Sequence, residues 1–140
     1  MTSATITTVP PDAAPGPMVP DRASVLSLRA EGAATFIVAL AAYQALGAGW
    51  LPFSLIFLAP DLSMLGYLRG PVTGARAYNL GHNLVLPVAL GAAGLALTLV
   101  GVQAVALIWV AHVGLDRALG FGLKSPAGFR HTHLGTVGRG

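Results

Sequence analysis

The chain has 140 residues, of which 54% are apolar and only 9% charged, and its mean hydropathy is +0.71. A soluble domain is usually about 25% charged; eight basic and five acidic residues do not cover the surface of a compact soluble chain of this size. The balance excludes an ordinary cytosolic protein and points to the lipid bilayer. Cysteine is absent, which excludes disulfides, thiolate metal ligands and cysteine nucleophiles.

In chain order, residues 1–24 are rich in Thr, Ala and Pro (Pro10, Pro11, Pro15, Pro17, Pro20) and have no periodicity. They predict a disordered N-terminal tail, and not a secretory signal, because no basic segment leads into an apolar run there. Residues 25–123 predict a four-helix transmembrane domain, and 124–140 a cytoplasmic tail read as a surface segment. No charge occurs from Gly32 to Pro60 or from Ala77 to Leu115. A spanning helix needs about 20 apolar residues. Turn signals at Gly47-Ala48-Gly49 and Leu99-Val100-Gly101 divide the apolar stretches. The expected helices are Leu28–Leu46, Trp50–Leu68, Ala75–Leu97 and Val102–Leu119, an all-α bundle. Pro60 and Pro87 fall inside the second and third, each removing one backbone hydrogen bond. Small residues such as Gly32, Ala41, Gly91 and Gly94 offer surfaces for close helix approach.

The basic residues fix an expected orientation. Arg22 and Arg29 precede or open the first helix, Arg69 and Arg76 lie between the second and third, and Arg117, Lys124, Arg130 and Arg139 end or follow the fourth. The other two loops carry none. The positive-inside rule then places both termini in the cytoplasm, in the cell's inner (plasma) membrane. The same bias explains the basic pI without nucleic acid, since the basic residues form no run.

Ionisable residues in a span are costly, by about 2.5–3.5 kcal/mol for Asp on insertion scales, and are functional candidates by default. Glu31 opens the first helix and Asp61 follows Pro60. Asn79, His82 and Asn83 share one face of the third helix, and His112 and Asp116, four apart, share one face of the fourth. At a rise of ~1.5 Å per residue, Asp61 lies ~12 Å, His82 ~9 Å and His112 ~8–18 Å from the cytoplasmic boundary. The polar groups therefore gather at similar depth in one half of the bundle. Two imidazoles and one or two carboxylates from facing helices suit one divalent ion, Zn²⁺, Mn²⁺ or Fe²⁺. Two other readings use the same residues. They form a hydrogen-bonded network that fixes helix packing in a scaffold or subunit, Asp61 pairing with Arg76 or Arg117; or they line a proton-coupled carrier, which at this length requires a homo-oligomer. Trp50, Trp109, Tyr43 and Tyr67 read as interfacial or packing aromatics.

Several strings resemble one family. They are Leu28-Arg29-Ala30-Glu31-Gly32, Ala59-Pro60-Asp61-Leu62-Ser63-Met64-Leu65-Gly66-Tyr67, Tyr78-Asn79-Leu80-Gly81-His82, the run from Trp109 to Lys124, and Phe129 to Gly135. Over residues 25–138 the chain is similar to the small integral membrane proteins grouped as domain of unknown function 4260. The resemblance implies four membrane helices and no assigned activity. It carries Glu31, Asp61, Asn79, His82, His112, Asp116, Arg117, Lys124 and His133 at matching positions. His131 departs from it, since the family more often has an acidic residue there.

The resulting expectation is a metal site of Asp61, His82, His112 and Asp116 open to the inner leaflet. Glu31 or His133 would act as general base or acid toward a water polarised by the metal, on a lipid-like substrate.

Overall fold

Helix α1 (Arg22–Leu46) starts where the Asp21 carboxylate accepts a hydrogen bond from the Ser24 N–H at 2.6 Å, an N-cap that satisfies one of the free donors of the first turn. Hydrogen bonding from the Ser24 side chain and, second, from its N–H holds the Asp21 carboxyl below its ordinary range. The cap places the helix start six residues before the expected Leu28. The computed structural model describes residues 21–126, 128–132 and 135–136. Most of the expected N-terminal tail therefore lies outside the described residues.

Four helical stretches are long and apolar enough to cross a membrane: Arg22–Leu46, Trp50–Arg69, Pro71–Ala96 and Val100–Leu119. The first is α1 and the last is α5 (Val100–Leu119), both continuous. The middle two are broken. The second span is the short helix α2 (Trp50–Ile56) followed by a 3₁₀ stretch (Ala59–Arg69). The third is α3 (Pro71–Gly81) followed by α4 (Val85–Ala96). The expected continuous second and third helices are corrected accordingly. Pro60 sits at the second position of the 3₁₀ stretch and Pro87 at the third of α4. Both stand in a first turn, where a missing N–H costs no intrahelical bond. The prolines thus mark the start of new segments and do not kink continuous helices. Gly70 alone joins the second span to the third, at φ 110°, a conformation open to glycine and strained for other residues.

The break in the third span is closed by Asn83. Its Oδ1 accepts from the N–H groups of Val85 (2.9 Å) and Leu86 (3.3 Å) at the start of α4. Its Nδ2 donates to the carbonyls of Asn79 (2.9 Å) and Leu80 (2.8 Å) at the end of α3. One side chain so satisfies backbone groups that water does not reach in a bilayer. Asn83→Ala is expected to lower stability by about 1–2 kcal/mol on the scale of helix caps, read as a lower Tm in detergent.

Helix α5 is central and packs against α1, α4, α2 and the 3₁₀ stretch. Its crossing with α1 brings backbones into contact. A Cβ on Gly114 would meet Phe36 N at 2.7 Å and Gly32 O at 3.0 Å, and one on Gly32 would meet Ala118 N at 2.6 Å. The 3₁₀ stretch lies on α3 in the same manner, with Gly66 against Ala77, Gly74 under the Tyr67 ring and Gly81 against Ser63. Small residues allow this approach where no hydrophobic effect drives helices together. Away from these contacts, large apolar side chains such as Leu51, Leu55, Leu68, Val85 and Leu95 are exposed, as lipid-facing positions require. A core of Tyr43, Ala104 and Ile108, flanked by Phe53 and Phe57, closes the end of the bundle opposite the basic residues.

After α5 the chain turns at Gly120. The N–H groups of Gly120 and Phe121 bond the carbonyls of Arg117 (3.0 Å) and Asp116 (2.8 Å), a Schellman ending. Arg29 Nε, from α1, donates to the Ala118 carbonyl at 2.9 Å. Three short antiparallel strands follow, in the order β1 (Lys124–Ser125), β2 (Gly128–Thr132), β3 (Gly135–Thr136). The expected surface tail therefore has a start that packs on α3. The side-chain amide of Asn79 clamps it, donating to the Lys124 carbonyl at 2.9 Å and accepting from the Lys124 N–H at 2.7 Å.

Candidate metal centre

Each of the four clustered residues is placed by a feature of its segment. Asp61 is the third residue of the 3₁₀ stretch, just after the break in the second span. His82 is the residue that ends α3, at the break in the third. His112 and Asp116 stand one turn apart on the buried face of α5. Three spans thus deliver one ligand atom each from Asp61 and His82 and two from α5.

These four ligand atoms lie within 4.8 Å of one another. The two imidazole Nε2 atoms are 3.2 Å apart. Asp61 Oδ1 is 3.3 Å from His82 Nε2 and 3.5 Å from His112 Nε2. Asp116 Oδ2 is 3.6 Å from His82 Nε2 and 4.0 Å from His112 Nε2. Donors at about 2.0–2.1 Å around a tetrahedral ion stand about 3.3–3.4 Å apart; the His82–His112 and His82–Asp61 pairs are already close to that, and the wider pairs, up to 4.8 Å, would have to draw together around an ion. Both histidines are 3% exposed, while the Asp61 carboxylate side chain is 33% exposed and gives the group its open side.

The tautomer of His82 is fixed. Its Nδ1 lies 2.9 Å from the Tyr78 carbonyl, which only accepts, so Nδ1 carries the proton and the Nε2 lone pair faces the group. The end of α3 also turns the negative end of its dipole toward the site, which favours a cation. Nδ1 of His112 is buried and has no hydrogen-bond partner among the described residues, while Phe57 stands edge-on to its ring at 5.3 Å between centroids. Trp109 donates its Nε1–H to the Gly81 carbonyl at 2.6 Å, tying α5 to the residue beside His82.

Tyr78 was not among the sequence candidates, yet it contacts two of the four clustered residues. It offers its carbonyl to His82, stacks its ring on the His82 imidazole at 3.7 Å and 10°, and donates its hydroxyl to Asp116 Oδ2 at 3.1 Å. The signal was its position four residues before His82 on one helix face. Tyr78→Phe removes only the hydroxyl and is expected to weaken metal binding by about 10–100-fold, the range for ligand-orienting partners, measured by chelator competition. Lys124 was expected on the surface and is 4% exposed, with its ammonium 5.0 Å from the Tyr78 ring centre and 5.8 Å from that of Phe121. Burial lowers its pKa and the Asp116 carboxylate opposes that shift.

The remaining candidates do not join the group. Glu31 is exposed on α1 and is not one of the four clustered residues. His133 lies outside the described residues. The arginine partners considered for Asp61 are replaced by His82 and His112, its ion-pair partners among the described residues.

A family model described as Domain of unknown function (DUF4260) matches residues 25–137, more than half of the chain. The chain belongs to the DUF4260 family. All four clustered residues of this DUF4260 chain fall within the matched segment. No curated protein and no solved structure matches it.

Proposed function

We propose that this DUF4260 protein is a membrane-embedded metalloprotein that binds one divalent ion through Asp61, His82, His112 and Asp116 and hydrolyses a lipid-like amphiphile. The observation that carries the reading is the set of four potential ligand atoms, all within 4.8 Å of one another, with the His82 Nε2 lone pair turned toward them. Zn²⁺, Mn²⁺ and Fe²⁺ all accept this nitrogen and oxygen donor set. The ion supplies Lewis-acid activation of water and of the scissile carbonyl or phosphoryl group. The chain's own residues hold the donors and keep one side open at Asp61.

An apolar pocket of about 100 Å³, lined by Ile56, Ala59, Pro60, Val105 and Trp109, supports the amphiphile. Ala59 and Pro60 directly precede Asp61, and Trp109 is one turn before His112. A hydrocarbon segment in this pocket adjoins the polar group. Arg22, Arg29, Arg69, Arg76, Arg117 and Lys124 lie at or near the span ends on one side of the bundle, which favours a cytoplasmic opening and both termini on that side. Glu31 stands outside the group, so Glu31→Gln is expected to leave metal content unchanged.

The test is turnover of a fluorescent phospholipid in mixed micelles by chelator-stripped protein reloaded with Zn²⁺, Mn²⁺ or Fe²⁺. Turnover that requires metal and is lost in Asp61→Asn supports the reading. Metal-loaded, folded protein that turns over no phosphodiester or carboxylic ester of the lipid contradicts the hydrolytic part. A protein that takes up no metal returns the cluster to a packing network.

A further inference from the structure

Val105, Trp109, His112 and Asp116 follow one another along α5 at intervals of one helical turn. All four therefore lie on one strip of that helix. Val105 and Trp109 are walls of the apolar pocket, and His112 and Asp116 are proposed metal ligands. The second span runs the opposite way and repeats the order, with Ile56, Ala59 and Pro60 in the pocket and then Asp61 in the centre. Pocket and centre are thus two levels of one groove between α5 and the second span. Val105 stands seven residues before His112, about 10 Å farther toward the middle of the bilayer.

The lining selects the occupant. The side chains of the pocket offer no hydrogen bond: Ile56, Ala59 and Val105 are aliphatic, Pro60 has no N–H, and the Trp109 indole N–H is taken by the Gly81 carbonyl at 2.6 Å. A polar occupant would leave its own groups unpaired at a depth that water does not reach, which is costly. Hydrocarbon has no such groups. Leu55 and Leu58, beside the pocket on the second span, are 74% and 62% exposed and face lipid. The pocket is therefore continuous with the lipid-facing surface, and it fills from the bilayer. At about 100 Å³ it takes part of one chain.

We infer that this pocket is the acyl-chain subsite of the metal centre. One unbranched chain of the amphiphile lies along the groove, its far end between Ile56 and Val105, its polar group at Asp61 and the ion. The molecule so bound keeps the orientation of a lipid in its own leaflet, polar end toward the near surface and chain toward the bilayer middle. Val105 closes the deep end and is the residue that sets how far the chain enters. The inference deepens the proposed function and rests on it.

The probe is palmitic acid carrying a photoreactive diazirine, near the methyl end in one preparation and near the carboxylate in another. Tag-free, full-length protein in neutral detergent is irradiated with each probe, and the labelled residues are mapped by mass spectrometry. The methyl-end probe is expected to mark Val105 and Ile56, and the carboxylate-end probe Trp109 and Ala59. Excess unlabelled palmitate is expected to lower both at least fivefold, while labelling of lipid-facing Leu55 stays within twofold. Val105→Phe, which fills the pocket, is expected to keep its zinc and to lose the competed labelling. Pocket labelling that palmitate does not lower overturns the inference, as does a methyl-end probe that prefers Ala59 to Val105, or unchanged labelling in a folded Val105→Phe. The assay needs neither turnover nor metal, so it separates the two readings. Competed labelling in a protein that takes up no zinc keeps the chain site and defeats the metal reading; uncompeted labelling in zinc-loaded protein overturns the chain site alone.

Discussion

His82→Ala is expected to lower divalent-metal affinity by more than about 100-fold, beyond the range for residues that only orient a ligand. His82 Nε2 is the most central of the four donors, at 3.2, 3.3 and 3.6 Å from His112, Asp61 and Asp116. Its removal deletes one ligand and leaves His112 to hold the nitrogen side alone. It also empties the face of the Tyr78 ring on which the imidazole stacks. The backbone is spared, because the residue 82 N–H still bonds the Tyr78 carbonyl and ends α3. Equilibrium competition with a zinc chelator measures the change. Affinity within threefold of wild type in a folded variant would remove His82 from the ligand set.

Gly114→Leu is expected to destabilise the bundle by about 3 kcal/mol or more, the upper end of the range for overpacked cores. The added carbon meets backbone atoms of α1, Phe36 N at 2.7 Å and Gly32 O at 3.0 Å, and backbone gives way less readily than the tip of a flexible side chain. Helix α5 must then move away from α1. His112 and Asp116, two residues to either side of Gly114, move with it, so metal affinity falls together with Tm. Gly101→Ala, where an added Cβ meets nothing within 4 Å, is the control. It is expected to leave both quantities close to wild type. An unchanged Tm in Gly114→Leu would contradict the close α1–α5 crossing.

The span count was legible because apolar length and the spacing of charges report directly on what a bilayer accepts. The four clustered residues were legible for a related reason. Each is a charged or titratable group at similar depth, and at that depth a costly side chain must face inward. The breaks in the second and third spans were not read, although Pro60 and Pro87 pointed to them. A proline begins a segment as readily as it bends one, and the choice here is made by Asn83 and by the glycines that let the 3₁₀ stretch lie on α3. Tyr78 escaped notice because tyrosine carries no charge signal, and its role comes from one residue acting through carbonyl, ring and hydroxyl together. Lys124 was read as surface because it follows the last span. The Asn79 clamp, made across 45 positions of sequence, holds it against α3. Glu31 had the right depth at the edge of a span, but α1 turns Gly32, and not Glu31, toward α5.

The central claim is that the four residues hold a metal. The most direct measurement is elemental mass spectrometry on detergent-purified protein without a histidine tag, with His112→Ala prepared alongside. The account predicts close to one equivalent of zinc, manganese or iron per wild-type chain, as purified or after reconstitution, and a loss of most of it in the variant. A folded wild type that retains no metal after incubation with Zn²⁺, Mn²⁺ and Fe²⁺, or a His112→Ala variant that retains as much as wild type, would contradict it.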